Sequence, residues 1–157
     1  PLLGFGAIQP AVLRRDNGEL VAYMRENGPR GKIRVSESKD AGLHWSEVTN
    51  STLANPGAGI DAVRLANGHW IMIYNDLRMN RHRLAVSISE DEGKTWPLTR
   101  HLENDVTGSF HYPCIIQGKD GTIHAAYSYF VPGGKSMKHA AFSEDWIRAG
   151  DPPAEKK

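Results

Sequence analysis

Asp61, His111 and Tyr112 have side chains that could move protons, and Arg25, Arg78 and Arg81 could hold an anionic partner for them. Asp61 opens an apolar run, Asp61-Ala62-Val63-Arg64-Leu65. It is read either as a general acid/base and hydroxyl acceptor or as a turn former at a strand start. Tyr112 stands before Pro113, which favours an extended backbone, and is read as the wall of a site or as core packing. His111 beside it would offer a neutral imidazole able to act as a base. Arg25 is a ligand contact or one half of a salt bridge between neighbouring units. Arg78, Arg81 and Arg83 are ligand contacts or members of a solvated basic loop. His82, His101, His111 and His139 show no paired ligand spacing, so neither a metal nor another cofactor is expected.

These residues sit in three segments that echo one another. The first runs Ile8-Gln9-Pro10-Ala11-Val12-Leu13, turns at Asn17-Gly18 and continues from Glu19 to Arg25. The second runs from Ile60 to Leu65, turns at Asn67-Gly68 and continues from Trp70 to Asn75. The third runs from Tyr112 to Ile116, turns at Asp120-Gly121 and continues from Thr122 to Tyr127. Asn-Gly or Asp-Gly between short β-rich runs is a strong hairpin signal. A third strand is expected after each hairpin, over Lys32 to Glu37, Arg83 to Ile88 and Lys138 to Phe142, and a fourth short strand after each unit's tryptophan. The first strand of a hairpin starts where the second ends. Gln9 with Arg25, Asp61 with Asn75 and Asp76, and Tyr112 with Tyr129 should therefore share one rim.

Joining these units is a second repeat. Ser38-Lys39-Asp40-Ala41-Gly42-Leu43-His44-Trp45 and Ser89-Glu90-Asp91-Glu92-Gly93-Lys94-Thr95-Trp96 both read Ser-x-Asp-x-Gly-x-x-Trp, and a shortened trace follows at Ser143-Glu144-Asp145-Trp146. Ser and Asp side chains can bind nearby backbone N–H groups, Gly supplies an unusual backbone angle, and Trp covers the turn. Four antiparallel strands per repeat of this length form one blade of a β-propeller. The expected fold is all-β, with three four-stranded blades near residues 5–50, 55–104 and 108–147, then a disordered polar tail at 151–157.

The 19 basic and 18 acidic side chains leave a net charge of +1, so bulk charge does not suggest a nucleic-acid partner. No apolar stretch approaches 18 residues, so no membrane span is expected. A single cysteine excludes an intramolecular disulfide. Cys114 lies in an apolar run and is read as a small buried hydrophobe.

The Ser-x-Asp-x-Gly-x-x-Trp repeats resemble the Asp-boxes of sialidase-like (bacterial neuraminidase repeat) proteins, and the chain is similar to the C-terminal half of such a six-bladed propeller. The resemblance implies a carbohydrate-active protein: a glycoside hydrolase or the remnant of one, acting on sialic acid or another acidic sugar. The alternative is a non-catalytic glycan-binding or assembly module. In the family, arginines grip the sugar carboxylate in a bidentate fork, a tyrosine activated by a glutamate is the nucleophile, and an aspartate is the acid/base. The resemblance then places Tyr112 at the nucleophile and Arg25 and Arg81 at carboxylate-binding positions, with Arg78 and Arg83 competing for the latter. Gln9 takes the place of the activating glutamate and cannot accept a proton. Tyr74, Tyr127 and Tyr129 would stack on a sugar or pack in the core.

Three blades would leave the first and last without a neighbour. The chain is therefore expected to be a homodimer or part of a longer chain. The open faces would carry Val12, Leu20, Val21 and Ala22 on one side and Ile115, Ile123, Ala125 and Tyr127 on the other. Tyr112 of one copy would lie near Gln9 of the next.

Overall fold

The computed structural model describes residues 6–153. The first sheet, in the order β1-β2-β3-β4, comprises β1 (Ala7–Arg14), β2 (Leu20–Glu26), β3 (Lys32–Ser38) and β4 (Thr49–Ala54). A second, in the order β5-β6-β7-β8, comprises β5 (Asp61–Arg64), β6 (Trp70–Tyr74), β7 (Arg83–Ser89) and β8 (Leu98–Asn104). The third contains β9 (Ser109–Gln117), β10 (Ile123–Val131) and β11 (Gly134–Phe142), with β10 in the middle. All pairings are antiparallel. These are three blades of a β-propeller, with β1, β5 and β9 side by side as their inner strands.

The middle blade fills the lobe. Every residue of β6 is buried, because both faces of its sheet are covered. On one side, Tyr23, Ile33, Trp70 and Met72 form a core in which the Tyr23 ring meets Trp70 and Trp96 edge-on, at 6.5 and 5.8 Å between centroids. On the other, Ile71, Ile73, Leu84 and Val86 pack against Phe110, Ile123, Ala125 and Tyr127.

Both complete Asp-boxes fold as turns whose bonds lie within eight residues. Ser38 Oγ donates to Asp40 Oδ1 at 2.9 Å and accepts from the Gly42 N–H at 2.9 Å. Asp40 Oδ1 accepts from the His44 N–H at 2.8 Å, and the Trp45 indole closes the turn on the Gly42 carbonyl at 3.0 Å. The second box repeats the pattern with Ser89, Asp91, Gly93 and Thr95. The His44 N–H and then its ring hold the Asp40 carboxyl down at about 2. At Asp91 desolvation pulls upward, and the hydroxyl and N–H of Thr95 outweigh it, again reaching about 2.

Several expectations need correction. Among the described residues the third blade has three strands, not four. Its shortened repeat forms no box: Ser143 Oγ accepts from the Trp146 N–H and caps a helix, α1 (Glu144–Arg148). This helix lies against β8, with the Arg100 guanidinium 4.1 Å from the Trp146 ring centroid. Val21, Ile115, Ile123, Ala125 and Tyr127 are buried rather than on open faces, because their register turns them toward the middle blade. Ala22 points outward but is covered by Met24, Val48 and Trp45 of its own blade. Among the described residues, large apolar side chains exposed on the strands of the first and last blades include Ile8, Val12, Ile116 and Met137. Cys114 is exposed, since it alternates with the buried Ile115 and shares the outward face of β9 with Ile116. Within the tail, Asp151 is held by His101, while residues 154–157 lie outside the described part.

Candidate functional site

The start of each inner strand, the end of the next strand and the start of the third meet at one rim of the lobe, and the Asp-boxes lie at the other. At the site rim, Arg25 Nη1 donates to Gln9 Oε1 at 3.1 Å. Arg25, next to last in β2, pairs with Ile8, and Gln9 is the extra residue of a β-bulge between Ile8 and Pro10. The third blade has the same device, with Tyr112 at a bulge before Pro113. Both residues have positive φ, 53° at Gln9 and 46° at Tyr112. This corrects the extended backbone expected at Tyr112. Left-handed geometry in a residue preceding proline is strained, and such strain gathers where a side chain must be aimed. The Tyr112 side chain is exposed and its ring lies over Gly59, close to Gln9. Tyr112 and Gln9 therefore approach the same residue, Gly59, within one chain.

His111 flanks this group, 6.3 Å from Tyr112 between ring centroids and 4.8 Å from Phe130. Its Nε2 shares a 2.5 Å hydrogen bond with Ser109 Oγ. Burial, then the cationic Arg81 and Lys135, push its pKa below the usual value, so the imidazole is neutral at neutral pH. His111, Ser109, Asn80, Arg81, His82 and Val106 line an open cleft of about 450 Å3 between the second and third blades. Arg81 is anchored there by donating to the Gly57 carbonyl at 3.0 Å.

The remaining candidates are engaged elsewhere. Asp61 Oδ2 accepts from the Ile115 N–H and Oδ1 from the Ala62 N–H, both at 2.9 Å. Its carboxylate thus ties inner strand β5 to inner strand β9. Arg78 donates to the Arg30 carbonyl at 3.3 Å and lays its stem over Gly31 in the first blade. Arg83 is paired bidentately with Asp76, at 3.0 and 2.8 Å. Tyr74 and Tyr127 are core residues, and Tyr129 packs on Phe110 at 5.4 Å.

Two structural supports of the rim carried little signal in sequence. Asn75, wholly buried, donates through Nδ2 to the carbonyls of Arg83 (2.5 Å), Phe110 (3.2 Å) and Arg81 (3.5 Å). Asn55 pins the loop ahead of β5 by accepting from the Gly57 and Ala58 N–H groups and donating to the Ala58 carbonyl. Ser109 was also unmarked, for it matches no motif. At the opposite rim His69, Glu90 and Glu144 bring potential metal ligands within 4.8 Å of one another. Arg148 hydrogen-bonds both glutamates, so a cation there would have to compete with a guanidinium already in place.

This repeated blade, with its paired Asp-boxes, matches the BNR repeat-like domain family over residues 3–125. The chain belongs to that family. No curated protein matches it in sequence. Among solved structures, this BNR repeat-like chain is similar to the intramolecular trans-sialidase from Ruminococcus gnavus, determined with oseltamivir carboxylate. That likeness has a TM-score of 0.77 at 19% identity and covers 93% of this chain and 34% of the other. The α-L-arabinanase of Penicillium chrysogenum, complexed with arabinobiose, gives 0.70 at 18% identity, over 90% and 47% of the two chains. The Hadza microbial sialidase Hz136 gives 0.70 at 23%, over 90% and 28%. At these identities the likeness is one of fold, and the BNR repeat-like chain spans less than half the length of each of these proteins.

Proposed function

We propose that the rim formed by Gln9, Arg25, Arg81, His111 and Tyr112 is part of a carbohydrate site for an acidic glycan, of the kind used by sialidase-like glycoside hydrolases. One observation carries this reading: the strained, exposed Tyr112 is held over the rim beside the Gln9–Arg25 pair. Arg25 supplies a planar guanidinium fork for a carboxylate, and its Nε is buried without a hydrogen-bond partner among the described residues. Arg81 and the neutral His111 extend the polar wall. If Tyr112 attacks the anomeric carbon, its oxygen forms a C–O bond as the glycosidic C–O bond breaks. The departing oxygen takes a proton from an acid on the further blades that would complete the site, and the phenolic proton must pass to a base. Gln9 cannot take it, and His111 is the neighbouring group of the right chemistry. Asp61, bound to two backbone amides, is assigned to positioning β9 rather than to proton transfer, and Arg78 to holding the first blade's loop.

A non-catalytic glycan-binding or assembly module is the second reading. It is favoured by Gln9 standing where an activating carboxylate would be needed.

The two are separated by titrating the protein with oseltamivir carboxylate and assaying fluorogenic sialosides. Arg25→Ala is expected to weaken binding about tenfold or more, since a charge-assisted hydrogen bond contributes about 1.5–3 kcal/mol. Tyr112→Phe is expected to abolish any turnover while sparing affinity. Turnover and binding unchanged by both substitutions would remove the assignment. Binding without turnover, unaltered by Gln9→Glu, would select the second reading.

Further blades would complete the site, supplied by a longer chain or by a second copy. The motive is the exposure of Ile8 and Val12 on the first blade and of Ile116 and Met137 on the last. The 157-residue chain by itself is expected to sediment as a homodimer at micromolar concentration. A well-behaved monomer in sedimentation equilibrium would refute self-association.

A further inference from the structure

The three hairpins close with the same pair of backbone bonds. Arg15, Leu65 and Gly118 each donate to the carbonyl four residues on, at 2.9, 2.8 and 2.8 Å. Each also accepts from a turn glycine, Gly18, Gly68 or Gly121, at 3.0, 2.9 and 3.0 Å. Counting back equally along the inner strands from Arg15, Leu65 and Gly118 leads to Gln9, Gly59 and Tyr112. The three are one position of the repeat, filled by an amide, by no side chain, and by a phenol.

They also converge in space. A Cβ on Gly59 would lie 3.2 Å from Tyr112 Cδ1, 3.6 Å from Tyr112 Cα and 3.8 Å from Gln9 Oε1. Gly59 does not have the positive φ that marks Gly57 two residues earlier. With no left-handed backbone to demand glycine, what a side chain at this position would meet is the Tyr112 ring, tighter than ordinary van der Waals contact. The bulges at Gln9 and Tyr112 swing both side chains to this point, and the missing side chain on the middle blade is what lets them arrive.

We propose that Gly59 is a positioning residue: its bare Cα is the floor over which the Tyr112 ring lies, which carries the phenol toward Gln9 and Arg25. What this arrangement does for a ligand rests on the carbohydrate-site reading above. The position of the ring does not.

Gly59→Ala and Gly59→Val test the proposal in the whole chain. The probes are ring-13C tyrosine NMR, with the Tyr112 signal assigned through Tyr112→Phe, the melting temperature, and oseltamivir carboxylate titration. The expected result for Gly59→Ala is a melting temperature within a few degrees of the parent and a displaced Tyr112 signal. Affinity should fall about three- to tenfold, and further for Gly59→Val. A Tyr112 signal unmoved in the folded Gly59→Ala variant would overturn the proposal. If the parent itself fails to bind the probe, the ligand reading falls and the Tyr112 signal still decides the positioning role. Should Gly59→Ala unfold, the double variant with Tyr112→Ala is read instead. Recovery of the melting temperature supports the contact, and no recovery overturns it.

Discussion

Gly93→Ala is expected to destabilise the protein by about 2–6 kcal/mol, whereas Gly42→Ala, at the same position of the other Asp-box, should lose only about 1–2 kcal/mol. Both glycines have left-handed backbones, with φ of 87° and 91°. Strain from φ is therefore common to the two. Their surroundings differ. A Cβ at Gly93 would sit 2.7 Å from Trp70 Cζ3 and closer still to the Tyr23 hydroxyl, both in the core between the first two blades. Tyr23 moreover donates to the Gly93 carbonyl at 3.1 Å, which fixes the approach. At Gly42 the nearest atoms are Leu20 Cδ1 at 3.6 Å and Trp45 Cζ2 at 3.8 Å, an ordinary contact. Urea midpoints at unchanged slope would measure the difference. Equal losses would show that φ alone governs both sites and that the Tyr23–Trp70 cradle yields.

Asn75→Asp should be as damaging, by about 3–5 kcal/mol at neutral pH. The amide group that now donates to three carbonyls would become a buried carboxylate facing the same acceptors. Asn75→Ala removes the donor without adding a charge and should lose about 1–3 kcal/mol. The two differ in pH dependence. Burial beside carbonyls raises the pKa of the new carboxyl in the folded state above its unfolded value of about 3.9. The folded protein then binds more protons than the unfolded chain between the two values, so the variant regains stability as pH falls through that window. Thermal melts of both variants at pH 7 and near pH 4.5 check this. A parallel acid response in Asn75→Ala would mean that another group is responsible.

What could be read in the sequence was local. The Asp-box turns close within eight residues through Ser, Asp and Gly, so their bonds follow from spacing alone. The hairpins at Asn17-Gly18, Asn67-Gly68 and Asp120-Gly121 follow from turn chemistry. Ser143-Glu144-Asp145-Trp146 misled because it lacks the glycine that supplies the left-handed angle. Its serine was free to cap a helix instead. The rim was legible as a set of strand ends but not in its aim. A residue before proline is ordinarily extended, and nothing in Gln9-Pro10 or Tyr112-Pro113 announces a bulge. Asp61 looked like an acid because its partner, the Ile115 N–H, is a backbone group 54 residues away. Ile115, Ile123, Ala125 and Tyr127 were assigned to an open face one residue out of register, which in a strand exchanges inside for outside, whereas Val12 is exposed as expected.

The Asp-boxes and the Tyr112 rim occupy opposite poles of the lobe, separated by the length of a strand such as Leu20–Glu26, about 23 Å. The turns that anchor the blades are thereby insulated from the rim proposed as a glycan site. Side chains at that rim can be exchanged without disturbing the turns that hold the blades in shape. A lesion at the fastening pole reaches the rim only by fraying the hydrogen-bonded ribbons between them.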